Sequence, residues 1–260
     1  MDTLARISCY SPDAKGASRA MKEAFGEMER IEKVFSKFDE ESEIARINML
    51  AGSREVIIDP EVFDLIERSI YYSRISGGSF DITAQPMKKG RYNGIILDRD
   101  NLSIRFVEGD IKIDLGGIAK GYAVDRAKEI LLSRGIDNAL IDIGGNIFAL
   151  GGAPRKEGWD IGIRHPRYKN KVAYKFRLKN KAVATAGDYE RPFHIIDPET
   201  GVPAEGVVSV TVVSDSAEKA DALSTAVFVM GIEEGKAFIG SLDATEAYIF
   251  DKDLMPHFSR

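Results

Sequence analysis

Cysteine is nearly absent from this 260-residue chain. Cys9 stands alone, which excludes an intramolecular disulfide and any zinc cluster built on cysteines. No apolar run precedes it, so it does not read as a lipid-attachment cysteine. No stretch is long and apolar enough for a membrane-spanning helix, and the start, MDTLARISCYSPDAKG, lacks the apolar centre of an export signal. As the sequence stands, a cytoplasmic location is expected. Histidine is scarce too: His165, His194 and His257 are spaced too widely for a histidine metal motif. A G-x-x-x-x-G-K-[ST] loop, the Rossmann glycine fingerprint and G-x-S-x-G are all missing. P-loop nucleotide hydrolysis, classical hydride transfer and serine hydrolysis therefore lose support. Basic charge is in deficit, 36 Lys and Arg against 41 Asp and Glu for a net charge of −5. That balance argues against a nucleic-acid partner.

What is present is ordinary for a globular protein, with 44% hydrophobic residues in a chain long enough for one large domain. Leu4 to Tyr10 alternates and predicts a strand; Ser11-Pro12 predicts a helix cap with proline at the first position. Ala17, Met21, Ala24, Phe25, Met28, Ile31, Phe35 and Phe38 recur at spacings of three and four. They predict a long amphipathic helix whose stripe is core. A loop and short helix follow, with Ile44 and Ile47 as the apolar pair. Asp59-Pro60 starts another helix, with Val62, Phe63, Ile66, Ile70 and Tyr71 inward, stopping at Gly77-Gly78. SFDITAQPM reads as a short strand, and Ile95 to Val107 as a hairpin around Asp98-Arg99-Asp100-Asn101. In the second half, strands are predicted at 138–143, 147–150, 159–164, 172–178, 181–185, 207–213 and 246–250. Helices are predicted to end at Gly135 and to run over 217–230 and 232–239. The expected fold is α+β, with mixed, largely antiparallel sheets packed against helices. Residues 1–260 form one domain, two lobes meeting near Gly109 being the alternative.

Three places could carry chemistry. The first is IKIDLGGIAKGYAVD, Ile111 to Asp125, where an alternating run meets Gly116-Gly117 and a helix pattern begins. Glycines let a ligand approach the backbone there, and the first helical amides favour an anion. Asp114 and Lys120 put one charge of each sign at that mouth. The second is DYERPFHIIDPETG, where His194 stands between Arg191 and Asp197, three positions away on either side. A histidine beside a strand is more often structural than a base, and Asp188 and Asp197 in the same segment are alternative bases. The third is SDSAEKADALSTAVF. Asp221 and Thr225 lie one helical turn apart, two hard oxygens that suit magnesium or calcium and not zinc. The plain alternative is an exposed aspartate and a threonine bonded back to the preceding turn.

Six segments occur in a familiar order: FDIT (80–83), DLGGIAKGYAVD (114–125), IDIGGNI (141–147), ATAGDYER (184–191), HIIDPETG (194–201) and ADALSTAVFVMG (220–231). Together they resemble the ApbE family of FAD:protein FMN transferases over nearly the whole chain. The resemblance implies an enzyme that binds FAD and uses magnesium to split its pyrophosphate. It implies transfer of FMN to a threonine hydroxyl of an acceptor flavoprotein, a respiratory or membrane electron-transfer subunit, with release of AMP. It further implies that Asp114 and Lys120 contact FAD. Met1, Phe38, the Ser79-Phe80-Asp81 segment and Ile195 would touch the flavin or adenine. Gly117 would bind the metal through its carbonyl, Asp221 and Thr225 through their side chains, with Ser224 adding a carbonyl. His194 would match the suspected base. Phe38 replaces a tyrosine common in the family, and the Arg191–His194 segment is shorter than usual. Most members carry an export signal and many are membrane-anchored, which a removed leader would reconcile with this chain. Rival readings are a magnesium-dependent FAD pyrophosphatase, a non-catalytic FAD-binding protein and an unrelated α+β enzyme.

Overall fold

A computed structural model describes residues 3–168, 170–188 and 193–259 of the chain. It begins with β1 (Ala5–Cys9), α1 (Ala14–Phe35), α2 (Glu43–Leu50), β2 (Val56–Ile57) and α3 (Pro60–Ile75). The hairpin β3 (Ile95–Asp98) and β4 (Ser103–Phe106) precedes α4 (Ala119–Ser133). Then come β5 (Ala139–Ile143), β6 (Asn146–Leu150), β7 (Trp159–Arg164), β8 (Val172–Leu178), β9 (Lys181–Gly187) and β10 (Val207–Ser214). The chain closes with α5 (Ala217–Gly240), β11 (Glu246–Asp251) and β12 (Pro256–Ser259).

Seven strands form the main sheet in the order β1-β5-β6-β9-β10-β11-β12, every neighbouring pair antiparallel. The small sheet β2-β4-β3 is antiparallel as well. The α+β expectation holds. Helices α4 and α5 lie against the main sheet, with α1 packed on α4. The β7–β8 hairpin covers other sheet residues, setting Trp159, Ile161 and Ile163 among Val183, Val208, Val213 and Tyr248. β10 is consequently buried along its whole length, and it reads as a nearly unbroken valine run where a one-sided strand would alternate.

Several local expectations are corrected. Asp13, not Ser11, caps α1, accepting from the Lys15 and Gly16 amides. Pro12 therefore precedes the helix. Phe38 lies past the helix end and is 86% exposed. Tyr71 faces solvent and its neighbour Tyr72 is buried instead. SFDITAQPM forms turns, with one isolated bridge from Gln85 to Lys88. The two predicted helices after Ala217 are continuous in α5 but kinked at Gly231, whose φ of +77° explains the glycine between them. Two short strands were not legible: β2, and β12, in what reads as a polar tail.

The run Ile111 to Leu115 also forms no strand. Ile111, Ile113 and Leu115 are buried as the alternation implies, but at Ile113 the pairing partner is a side chain. Asn48 Oδ1 accepts from the Ile113 amide at 2.7 Å and Nδ2 donates to its carbonyl at 2.9 Å. A second close approach lies just beyond: a methyl on Gly52 would come 2.7 Å from Gly109 Cα.

Candidate active site where two helices start

The turn entering α4 runs from Asp114 through Gly116 and Gly117. Asp114 Oδ1 accepts from the Gly116 amide at 2.9 Å, and Lys37 Nζ donates to Oδ2 at 2.6 Å. A helix start leaves its first amides unsatisfied, and Ile118 at the cap position supplies no side-chain acceptor. The acceptor comes from α5 instead: Asp221 Oδ2 takes the Gly121 amide at 3.0 Å. In return Asp125 on α4 accepts from the Glu218 amide, in the first turn of α5, at 2.9 Å. Each helix caps the other. Gly121 makes this possible, because a methyl there would lie 2.6 Å from the Ala217 carbonyl carbon and 2.8 Å from Glu218 Cα.

Asp221 is only 5% exposed. Lys120 Nζ stands 3.5 and 3.4 Å from its two carboxylate oxygens and donates to the Gly116 carbonyl at 2.8 Å. Ser224 and Thr225 donate their hydroxyls to the Asp221 carbonyl at 2.9 and 3.4 Å. The back-bonding weighed for Thr225 is thus present. Yet Thr225 also borders the glycine turn: a methyl on Gly117 would meet Thr225 Oγ1 at 3.5 Å and the Phe80 ring at 3.2 Å. Among the described residues no group of three His, Cys, Asp or Glu side chains could hold a metal. A cation here would rest on one carboxylate, one hydroxyl and backbone carbonyls. That all-oxygen set fits magnesium or calcium.

Nearby, Glu218 pairs with Arg68 Nε at 2.9 Å, and burial still pushes its carboxyl above the ordinary glutamate value. Asp81 is organised differently. Its Oδ1 accepts from the Thr83 amide and hydroxyl, both at 2.7 Å, and Oδ2 from the Tyr92 amide at 3.1 Å. Burial raises its pKa against the pull of those donors. Asp81 thereby pins the loop after Ser79, and Phe80 meets Tyr72 edge-on at 6.4 Å. The Gly90 amide donates to the Pro198 carbonyl at 2.6 Å, tying this loop to the turn that follows His194.

His194 and Ile195 line a cavity of about 280 Å³, together with Phe193, Arg167, Asp188 and Phe228. Arg167 forks onto Asp188 at 2.7 and 2.9 Å. Phe228 sits three residues beyond Thr225, so α5 serves both the cavity and the oxygen cluster. The structure therefore gathers Phe80, Asp114, Gly117, Lys120, Asp221 and Thr225 at one mouth, with Ser224 buried beneath. Phe38 lies beside Lys37, whose ammonium is 5.0 Å from its ring centre. Met1 lies outside the described residues.

The sequence pattern of the ApbE family matches residues 1–94 and 87–249. A Treponema pallidum protein named FAD:protein FMN transferase is 32% identical, the match covering 95% of this chain and 82% of that protein. The chain belongs to the ApbE family. A Klebsiella pneumoniae FAD:protein FMN transferase is 28% identical, over 95% of this chain and 85% of its own. Among solved structures, the ApbE protein of Thermotoga maritima superposes with a TM-score of 0.87 at 31% identity, covering 99% and 96% of the two chains. The flavin transferase ApbE of Vibrio cholerae gives 0.87 at 25% identity, covering 100% and 94%. Within this ApbE-family chain, sequence reasoning missed Lys37, Asn48, Thr83 and Asp125. Asp125 closes a motif that was read, but its partner Glu218 lies 93 residues away. No local pattern reports such a pair.

Proposed function

We propose that this chain is a magnesium-dependent FAD:protein FMN transferase. The observation that carries the reading is the convergence of the Gly116-Gly117 turn, Lys120, Asp221 and Thr225 from segments about 100 residues apart. The names of the relatives supply the substrate. In this reading the Gly116-Gly117 turn and the Lys120 ammonium face the pyrophosphate of FAD, at the positive end of α4. Asp221, Thr225 and the carbonyls of Gly117 and Ser224 would hold magnesium, which when bound supplies charge neutralisation at the phosphates. The acceptor threonine oxygen forms a bond to the phosphorus on the flavin side. The bond from that phosphorus to the AMP oxygen breaks, AMP leaves, and the hydroxyl proton passes to His194. The protein's work is mainly positioning and charge stabilisation. The acceptor is a flavoprotein with an accessible threonine, of the respiratory or membrane electron-transfer kind. Incubating the protein with FAD, magnesium and a threonine-containing flavoprotein peptide should add one FMN to the peptide, read by mass spectrometry. FMN and AMP appearing with the peptide unmodified would make the chain a pyrophosphatase.

Two expected results test parts of this reading. FAD should bind far more tightly than FMN or riboflavin, because the glycine turn and Lys120 address the pyrophosphate. Equal affinities by calorimetry would remove the pyrophosphate from the site. His194→Ala should slow transfer by roughly 100-fold or more, since a threonine hydroxyl is a poor nucleophile without a base. FAD affinity should change little, and the acidic limb of the pH–rate profile should disappear. A normal rate with that limb intact would pass the role to Asp188 or Asp197.

A further inference from the structure

The arrangement around Asp221 has an unusual member. A buried carboxylate needs a counter-charge, and among the described residues the ammonium paired with this one is Lys120. It faces both oxygens at 3.4 to 3.5 Å, an ion-pair distance rather than a short hydrogen bond. Its firmest contact is the Gly116 carbonyl at 2.8 Å. The lysine is thus anchored on the glycine turn and leans on the carboxylate. Its side chain is 29% exposed, against 8% for that of Asp221. It therefore has room to swing outward and Asp221 does not. A divalent cation arriving at Asp221 meets a positive charge already in place.

We propose that Lys120 is the resident counter-ion of Asp221 and competes with the metal for it. Substrate phosphate, by drawing the ammonium away, opens the carboxylate to the cation. This rests on the flavin-transferase reading above and adds to it an order of events. FAD and metal then bind with positive coupling, because one residue answers to both. The carboxylate is never left buried without a partner, first matched by the lysine and then by the metal. Coupling of this kind is reciprocal: metal tightens FAD by the same factor as FAD tightens metal.

The test uses manganese as the probe, with free Mn²⁺ read by electron paramagnetic resonance and no turnover involved. Without FAD, Lys120→Met should bind Mn²⁺ roughly 10- to 100-fold more tightly than the parent, a range usual for coupled sites. Lys120→Arg, which keeps the charge, should not gain affinity. Adding FAD should tighten Mn²⁺ in the parent and much less in Lys120→Met. Asp221→Asn serves as the reference. Loss of Mn²⁺ binding in Asp221→Asn, with no gain in Lys120→Met, overturns the competition and leaves the metal assignment standing. Full Mn²⁺ affinity in Asp221→Asn overturns both. Circular dichroism of each variant separates these outcomes from misfolding.

Discussion

Asp221→Ala is expected to lower FMN transfer by at least ~100-fold, in line with losing the charged ligand of the proposed magnesium, a Lewis acid that would supply several kcal/mol. The helix itself should survive, since alanine is the better helix former. Stability should nevertheless fall, because the same carboxylate accepts the Gly121 amide and caps α4. Loss of such a cap costs about 1 kcal/mol, or about 2–4 °C in melting temperature at this chain length. The two effects are separable. Turnover measured at saturating magnesium reports the first and a thermal melt the second. Near-full turnover would show that Asp221 acts only as a cap.

The second large effect is expected from the smallest change, Gly121→Ala. The added methyl meets backbone of α5 on the Ala217–Glu218 side, which no rotamer change can clear. The helices must separate, and overpacking of this kind costs about 3 kcal/mol. The melting temperature should drop by about 6–12 °C. Asp221 and Asp125 each lose their amide across the gap, so transfer should fall at least roughly tenfold as well. Gly26→Ala in α1 is the control. Nothing lies within 4 Å of a methyl there, and the helix should gain up to about 1 kcal/mol. Equal melting temperatures for the two variants would mean that α4 and α5 do not touch as closely as described.

Much of this architecture was legible wherever burial is one-sided or a turn has its own chemistry. The stripe of α1, the Asp59-Pro60 start of α3, the hairpin at Asp98 and the bounds of β7 and β8 all follow from local pattern. Alternation misled at Ile111 to Leu115 because it reports which side chains are buried, not what pairs with the backbone. Phe38 continued the helical spacing past the true end, where nothing remains to bury it. Tyr71 and Tyr72 were exchanged because adjacent aromatics fit the stripe almost equally well. At the site, the residue types of the glycine turn and of Asp221 and Thr225 were readable. That Asp221 caps α4, that Asp125 caps α5, and that Lys37 and Lys120 stand on the two carboxylates were not. Those facts depend on how two helix starts meet, which no spacing within either helix encodes.

The Asn48–Ile113 pairing carries one more implication. Those residues are 65 positions apart, and Gly52 against Gly109 closes the same circuit just inside them. The chain between them, α3 and the small sheet included, leaves and returns at this one pinch, and packs back on the rest of the protein through Arg68 on Glu218 and Gly90 on Pro198. Closing a flexible loop costs entropy that grows only with the logarithm of its length, about 0.6 kcal/mol per doubling. Surface turns on that excursion, such as the one at Asp98 to Asn101, can therefore lengthen or shorten at little cost. The mouth holding Asp114 is fixed apart from such turns, by Asn48 on Ile113, by the Ile82 carbonyl on the Asp114 amide and by Lys37 on its carboxylate.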